Sequence, residues 1–172
     1  MKKFLIAVAF LLLLSLCLTG CGLTVPRPEV KEGEFDFSIT YELNGEVKTF
    51  SAVYVCEYDG TNWSLDGGHS RKWEISVQGD YEGDDYGAKI GTAEDGAEIW
   101  LYFGLYPQYF MGDPNVADRG IPEPELAVSY PETFTGEVAI VNGPEDIEKL
   151  FGAKIISYQY AAPIANTFGL FK

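Results

Sequence analysis

The chain has 172 residues, of which 26 are acidic and 12 are lysine or arginine, so its formal net charge at pH 7 is −14. A surface of this sign repels nucleic acid and anionic headgroups, and we therefore expect no nucleic-acid partner. Aromatic residues make up 15% of the sequence, enough to build a hydrophobic core, which excludes a disordered acidic tail.

The first 20 residues are predicted to form an export signal. Lys2 and Lys3 give the segment a positive start, and residues 4–18 are almost wholly apolar. Small residues then lead into a cysteine, which completes the three-part pattern of a secretory signal. Because a membrane-spanning helix needs about 20 apolar residues, this run is too short to be a comfortable span.

The end of the signal, Leu18-Thr19-Gly20-Cys21, resembles the lipobox of bacterial lipoprotein precursors. The resemblance covers residues 1–22 and implies that Cys21 receives diacylglycerol and that a lipoprotein signal peptidase cuts before it. Two acyl chains, such as palmitate, hold a protein stably on a bilayer. The implied location is the extracytoplasmic face of the cell membrane. The alternatives are an ordinary signal peptide with an incidental cysteine and a retained membrane helix.

Residues 21–33 are predicted to be the lipidated cysteine and a flexible stalk. Pro26 and Pro28 stiffen this segment, and little in it is expected to pack against a core. Fully extended at about 3.3 Å per residue, it would hold the domain roughly 40 Å from the membrane. Residues 34–172 then form a single β-rich domain, the usual number for this length.

Alternating apolar and polar residues predict a strand with one buried face over 34–43. Asn44-Gly45 follows, a strong signal for a two-residue hairpin, and 46–58 is its second arm. Asp59-Gly60 is expected to turn the chain. Further strands are predicted at 63–65, 71–78, 88–92, 97–106, 127–130, 134–141 and 154–160.

One helix is predicted over 144–151. Pro144 suits its first turn, Glu145 and Asp146 lie near its positive end, and Gly152 stops it. Short strands with turns between them indicate an all-β, mainly antiparallel fold, either a β-sandwich or a partly closed barrel. The region 107–124 has no periodicity and is interpreted as a long irregular loop, while the tail 161–172 has no predicted place.

The catalytic residue types are scarce. His69 is the only histidine, which excludes zinc sites built on several imidazoles. Cys56, in an apolar run, is predicted to be a buried and unreactive thiol, although a dyad with His69 is conceivable. We expect no enzyme. A carboxylate-dependent glycan hydrolase is left open, because some of the many acids must lie close together in any fold.

One acidic loop is a candidate metal site, and no cofactor other than calcium is considered. Hard oxygen ligands at alternate positions suit calcium, but Asp85 stands where the helix-flanked calcium loop needs its glycine. The loop therefore provides either a weak divalent site or only a solvated turn. Asp113, in the long loop, belongs to a weaker set of the same kind. The candidate ligands in the acidic loop are Asp80, Glu82, Asp84 and Asp85.

Surplus aromatic residues are the better indication of function. Tyrosine or tryptophan in a loop offers a flat apolar face with a polar tip, suited to sugars or peptides. The favoured function is a non-catalytic, lipid-anchored extracytoplasmic binding module whose partner is a cell-wall glycan, a peptide or another envelope protein. The alternative is a structural or accessory lipoprotein of the cell envelope. The candidate contacts are Trp63, Tyr106, Tyr109 and Phe110.

Overall fold

The computed structural model describes residues 25–64, 68–114, 122–130 and 144–169. Within them no helix is long and apolar enough to cross a bilayer. The signal segment, the predicted strand over 134–141 and residues 115–121 of the long loop lie outside the described residues. The described elements are β1 (Arg27–Pro28), β2 (Glu32–Leu43), β3 (Glu46–Ser64), β4 (Gly68–Gln78), β5 (Gly87–Thr92), β6 (Glu98–Tyr102), α1 (Pro107–Phe110), β7 (Glu125–Ser129), α2 (Pro144–Phe151), β8 (Ala153–Tyr160) and β9 (Phe168–Gly169).

The described strands form three antiparallel sheets, and none of these sheets closes into a barrel. The largest has the order β4-β3-β2-β8, the second has the order β5-β6-β7, and β1 pairs with β9. Inward side chains of the two larger sheets share one hydrophobic core. The predicted all-β fold with a helix at Pro144–Phe151 is therefore confirmed, as a sandwich and not a barrel.

The hairpin of β2 and β3 forms as the alternation predicts. Asn44 and Gly45 have φ values of 52° and 81°, which a two-residue hairpin turn requires. The inward side chains of β2 are buried, and Phe37 packs against Phe103 of the opposite side with ring centroids 5.2 Å apart. Aromatic pairing across the sandwich therefore forms the centre of the core.

The predicted turn at Asp59-Gly60 is wrong, because β3 continues through it. The register with β4 shifts between Tyr58 and Thr61, and Gly60 adopts a φ of 91°. The glycine thus forms a β-bulge inside a strand and does not end the strand. Since the last pair between β2 and β3 is Glu32 with Glu57, the hairpin of β3 and β4 projects beyond the start of β2.

The long loop and the tail fold back on the core. α1 lies inside the predicted loop, and Phe110 and Met111 at its end are fully buried. The backbone N–H of Ile164 donates to the carbonyl of Phe110 at 2.9 Å, so the tail covers this turn. These contacts give the tail a place that its sequence does not indicate.

The predicted flexible stalk over 21–33 is wrong for its second half. β1 pairs with β9, and the backbone of Val30 makes two hydrogen bonds with the Asn166 side chain, at 2.8 and 3.0 Å. The N–H of Glu29 donates to the carbonyl of Thr167 at 2.8 Å. The segment is ordered because the C-terminal tail supplies the hydrogen-bonding partners that a free stalk lacks.

A buried ion pair holds this arrangement together. Arg71 and Asp113 are only 6% and 4% exposed, and their side chains form two parallel hydrogen bonds, with 2.6 Å between Nε and Oδ2. Trp73 Nε1 donates to the same carboxylate at 3.1 Å, and Arg71 Nη1 donates to the carbonyl of Pro26 at 3.0 Å. The guanidinium carbon lies 4.5 Å from the ring centroid of Phe168. The pair therefore joins β4, the long loop and both ends of the described chain.

We predict that Asp113→Asn destabilises the protein by about 3–5 kcal/mol, because removing one partner leaves a buried, uncompensated charge. Urea unfolding measures this loss. Replacing both partners, Arg71→Met with Asp113→Leu, should recover much of it, since no buried charge is left. The matched control is Asp59→Asn, which breaks the exposed pair with Lys72 and should barely move the unfolding midpoint. Equal losses in Asp113→Asn and Asp59→Asn would contradict the role assigned to the buried pair.

Candidate binding face

The outer face of the four-stranded sheet is polar. Side chains alternate along a strand, so the residues between the buried members of β2 point away from the core. Most outward side chains of β2, β3, β4 and β8 are exposed or half-exposed, and no described element covers them. The alternation that builds the core therefore also exposes a continuous hydrogen-bonding surface on its other side.

This face contains a depression of about 670 Å³, which we call the polar depression. Register explains its shape, since Ser38 lies opposite both Ser51 and Gln159, while Val53 lies opposite Asp36 and Gln78. The inner strands β2 and β3 contribute the short side chains of Ser38, Ser51 and Val53 as well as Asp36, whereas the outer strands β4 and β8 contribute the longer Gln78 and Gln159. The lining is mixed, with apolar surface from Phe37, Ala52, Val53, Ala161 and the ring of Tyr160. It also contains five polar side chains from all four strands: Asp36, Ser38, Ser51, Gln78 and Gln159.

The polar depression offers hydrogen bonds and no catalytic pair. Its two carboxamides each provide donors and an acceptor, its hydroxyls provide both, and its carboxylate accepts. Within the described chain, these five side chains form no hydrogen bond with another residue. Glycoside hydrolysis uses two carboxylates, whereas only Asp36 supplies one among the lining residues. The arrangement is suited to holding a polar ligand.

The structure separates the aromatic candidates. Phe110 is fully buried, with its ring 5.0 Å from Phe35, so predicting it as a ligand contact is wrong. The physical reason is that α1 turns this part of the loop into the core. Tyr106 and Tyr109 are half-buried, and Trp63 on β3 is 62% exposed. None of these four residues lines the polar depression.

The acidic loop uses its carboxylates to shape its own backbone. Asp85 accepts the N–H of Val77 at 2.8 Å, and Asp84 accepts two backbone N–H groups at 2.8 and 3.0 Å. Glu82 forms an ion pair with the lysine of β5, and Asp80 is exposed. The described residues contain no group of three or more ligating side chains placed to hold a metal ion. A calcium site here stays a prediction.

Cys56 is a buried thiol, as predicted. It is fully excluded from solvent and unpaired, and this burial raises its pKa from 9.0 to about 12. Its opposite residue on β4 is Ile75, whereas His69 lies opposite Trp63. From Ile75 to His69 is about 20 Å along the strand. A Cys56–His69 dyad therefore does not form.

We predict that Cys56 in the folded protein resists alkylation by a maleimide at about pH 8 and reacts fully in denaturant, because only the thiolate is nucleophilic. Folding should also weaken as pH rises from about 9 towards 12, since the unfolded thiol releases a proton that the folded thiol keeps. Cys56→Ala should reduce this dependence in urea titrations, and the buried tyrosines whose pKa is also raised, Tyr54 and Tyr160 among them, should account for the remainder. Peptide mass mapping measures the labelling. Rapid labelling of the folded protein would contradict the assignment.

Comparison with known proteins provides no family for this chain. No protein-family model, no curated protein and no solved structure matches it. A functional assignment must therefore come from the chain's own surface, charge and topology, of which the polar depression is the most developed feature.

Proposed function

We propose that the chain is a lipid-anchored, extracytoplasmic, non-catalytic binding module that recognises a hydroxyl-rich glycan in the polar depression. One observation carries the proposal: hydrogen-bonding side chains of four strands converge on one open surface without partners in the described chain. Polar groups that are not consumed by the fold are available to a ligand. The lipid anchor is the separate expectation drawn from the lipobox.

The chemistry of the depression favours a neutral polyol over other ligands. Small apolar ligands bind in enclosed, mostly apolar pockets, whereas this depression is open and combines its polar side chains with apolar ones such as Val53 and Ala161. Phosphorylated or otherwise anionic ligands are repelled by the acidic protein and by Asp36. A glycan presents rows of hydroxyl groups that both donate and accept, and amide and carboxylate side chains match both roles. Outside the cytoplasm, cell-wall polysaccharide is the partner of this chemistry.

The proposal predicts measurable binding on an array of cell-wall glycans. Gln159→Ala and Asp36→Ala should each weaken binding about fivefold, because a hydrogen bond contributes on the order of 1 kcal/mol. Thr49→Ala is the matched control. This exposed residue lies on the same face, outside the depression, and should leave affinity unchanged. Calorimetry with the best array ligand measures all three. An empty array, or equal effects of all three variants, would favour a structural role.

The anchor has its own test. In a bacterial host, Cys21→Ser should abolish acylation and leave the signal uncleaved by the lipoprotein peptidase, because the thiol is the site of lipid attachment in the lipobox pattern. Mass spectrometry of the N-terminal peptide distinguishes the forms. A Cys21→Ser protein that is still recovered with lipid attached would refute the assignment.

A further inference from the structure

We propose that the chain has a second membrane contact, in which the exposed indole of Trp63 lies in the interfacial layer of the bilayer beside the lipid anchor. This inference rests on the proposed lipidation of Cys21. It assigns Trp63 to lipid, not to the glycan or peptide that its exposure alone suggests.

The hairpin of β3 and β4 projects at the end of the sheet where β2 begins. The last pair between β2 and β3 is Glu32 with Glu57, and β3 then runs on to Ser64. That extension is about 23 Å of strand. In this extension Thr61 pairs with Arg71, and Trp63 pairs with His69. The indole therefore lies close to the end of the hairpin that is farthest from β2.

The chain that leads to the lipid leaves the domain at the same hairpin. The carbonyl of Pro26 is held by Nη1 of the buried Arg71 at 3.0 Å. Five residues of chain lead from Cys21 to Pro26 and span at most about 18 Å. The acylated Cys21 therefore lies no farther than this from Pro26. Trp63 is two residues beyond the Thr61–Arg71 pair, about 7 Å along the strand.

The indole and Pro26 also lie on one face of the hairpin. Side chains of a strand alternate, so Arg71 and His69 point to the same side, and Trp63 opposite His69 points there too. Arg71 binds Pro26 on that side. The described chain therefore begins on the face of the hairpin on which Trp63 is exposed.

The chemistry of the projecting part suits a lipid interface. Trp63 is 62% exposed, and tryptophan concentrates at the headgroup level of membranes, where its ring is apolar and its N–H is solvated. The described residues around it, 60–64 and 68–70, include no Asp, Glu, Lys or Arg, although the chain as a whole has a net charge of −14. With Asp59 and Asp66 as the acids nearest in sequence, this end has fewer negative charges than most of the domain, so an anionic bilayer repels it less.

Quenching by brominated lipid tests the proposal. The full chain, expressed in a bacterial host and purified from its membranes, is reconstituted into phosphatidylcholine vesicles whose bromine atoms lie just below the headgroups. With three tryptophans in the chain, we expect the lipid to quench roughly a third of the emission. Trp63→Phe should abolish this quenching. Trp100→Phe, which removes the half-exposed tryptophan of β6, is the matched control and should retain it.

Flotation of the vesicles separates the two proposals. Protein that does not float with the vesicles overturns the anchor, and the contact that depends on it. If both proteins float and quenching is the same in the unchanged protein and in Trp63→Phe, the Trp63 contact is overturned, whereas the proposed anchor is not affected. Thermal melting of Trp63→Phe should match the unchanged protein, because the replaced side chain is outside the core.

Discussion

The buried pair of Arg71 and Asp113 is the constraint on which the rest of the arrangement depends. Two charges removed from water destabilise a fold unless their hydrogen-bonding groups are satisfied. Here the Asp113 carboxylate accepts hydrogen bonds from the Arg71 guanidinium and from the indole of Trp73. The guanidinium also donates to the carbonyl of Pro26 and lies over the ring of Phe168. Because each partner lies on a different part of the chain, satisfying the charges also brings both described ends of the chain onto the same hairpin.

This constraint determines how an anchored domain would stand on a membrane. A stalk that ran freely to Gly33 would place no restriction on orientation, whereas a chain held at Pro26 leaves only the short link from Cys21. In the anchored state that we propose, the polar depression would lie far along β3 from the tethered end of the domain. Its Val53 lies about 26 Å along β3 from Thr61, on the side away from the lipid. In that state, the proposed glycan site would be exposed beyond the headgroup layer.

Local patterns in the sequence were sufficient to predict several of the larger elements, whereas they did not indicate the long-range pairing. Alternation over β2, the Asn44-Gly45 turn and the helix at Pro144–Phe151 each depend on neighbouring residues, and the structure has all three. The bulge at Gly60 was not predictable, because a glycine after an aspartate is equally suited to a turn. The β1–β9 pairing and the Arg71–Asp113 pair join residues far apart in sequence, and no short pattern marks such partners.

The candidate site was missed for a related reason. Surplus aromatic residues are predicted as ligand contacts from the sequence, yet Phe110 is part of the core. A core between two sheets contains many aromatic rings. The polar half of an alternating strand, by contrast, is what any solvated sheet presents. Only the register of four strands brings Asp36, Gln78 and Gln159 to one surface. The small side chains beside them, Ser38 and Ser51, make this surface concave. Concavity comes from cross-strand neighbours, which a single strand's sequence does not contain.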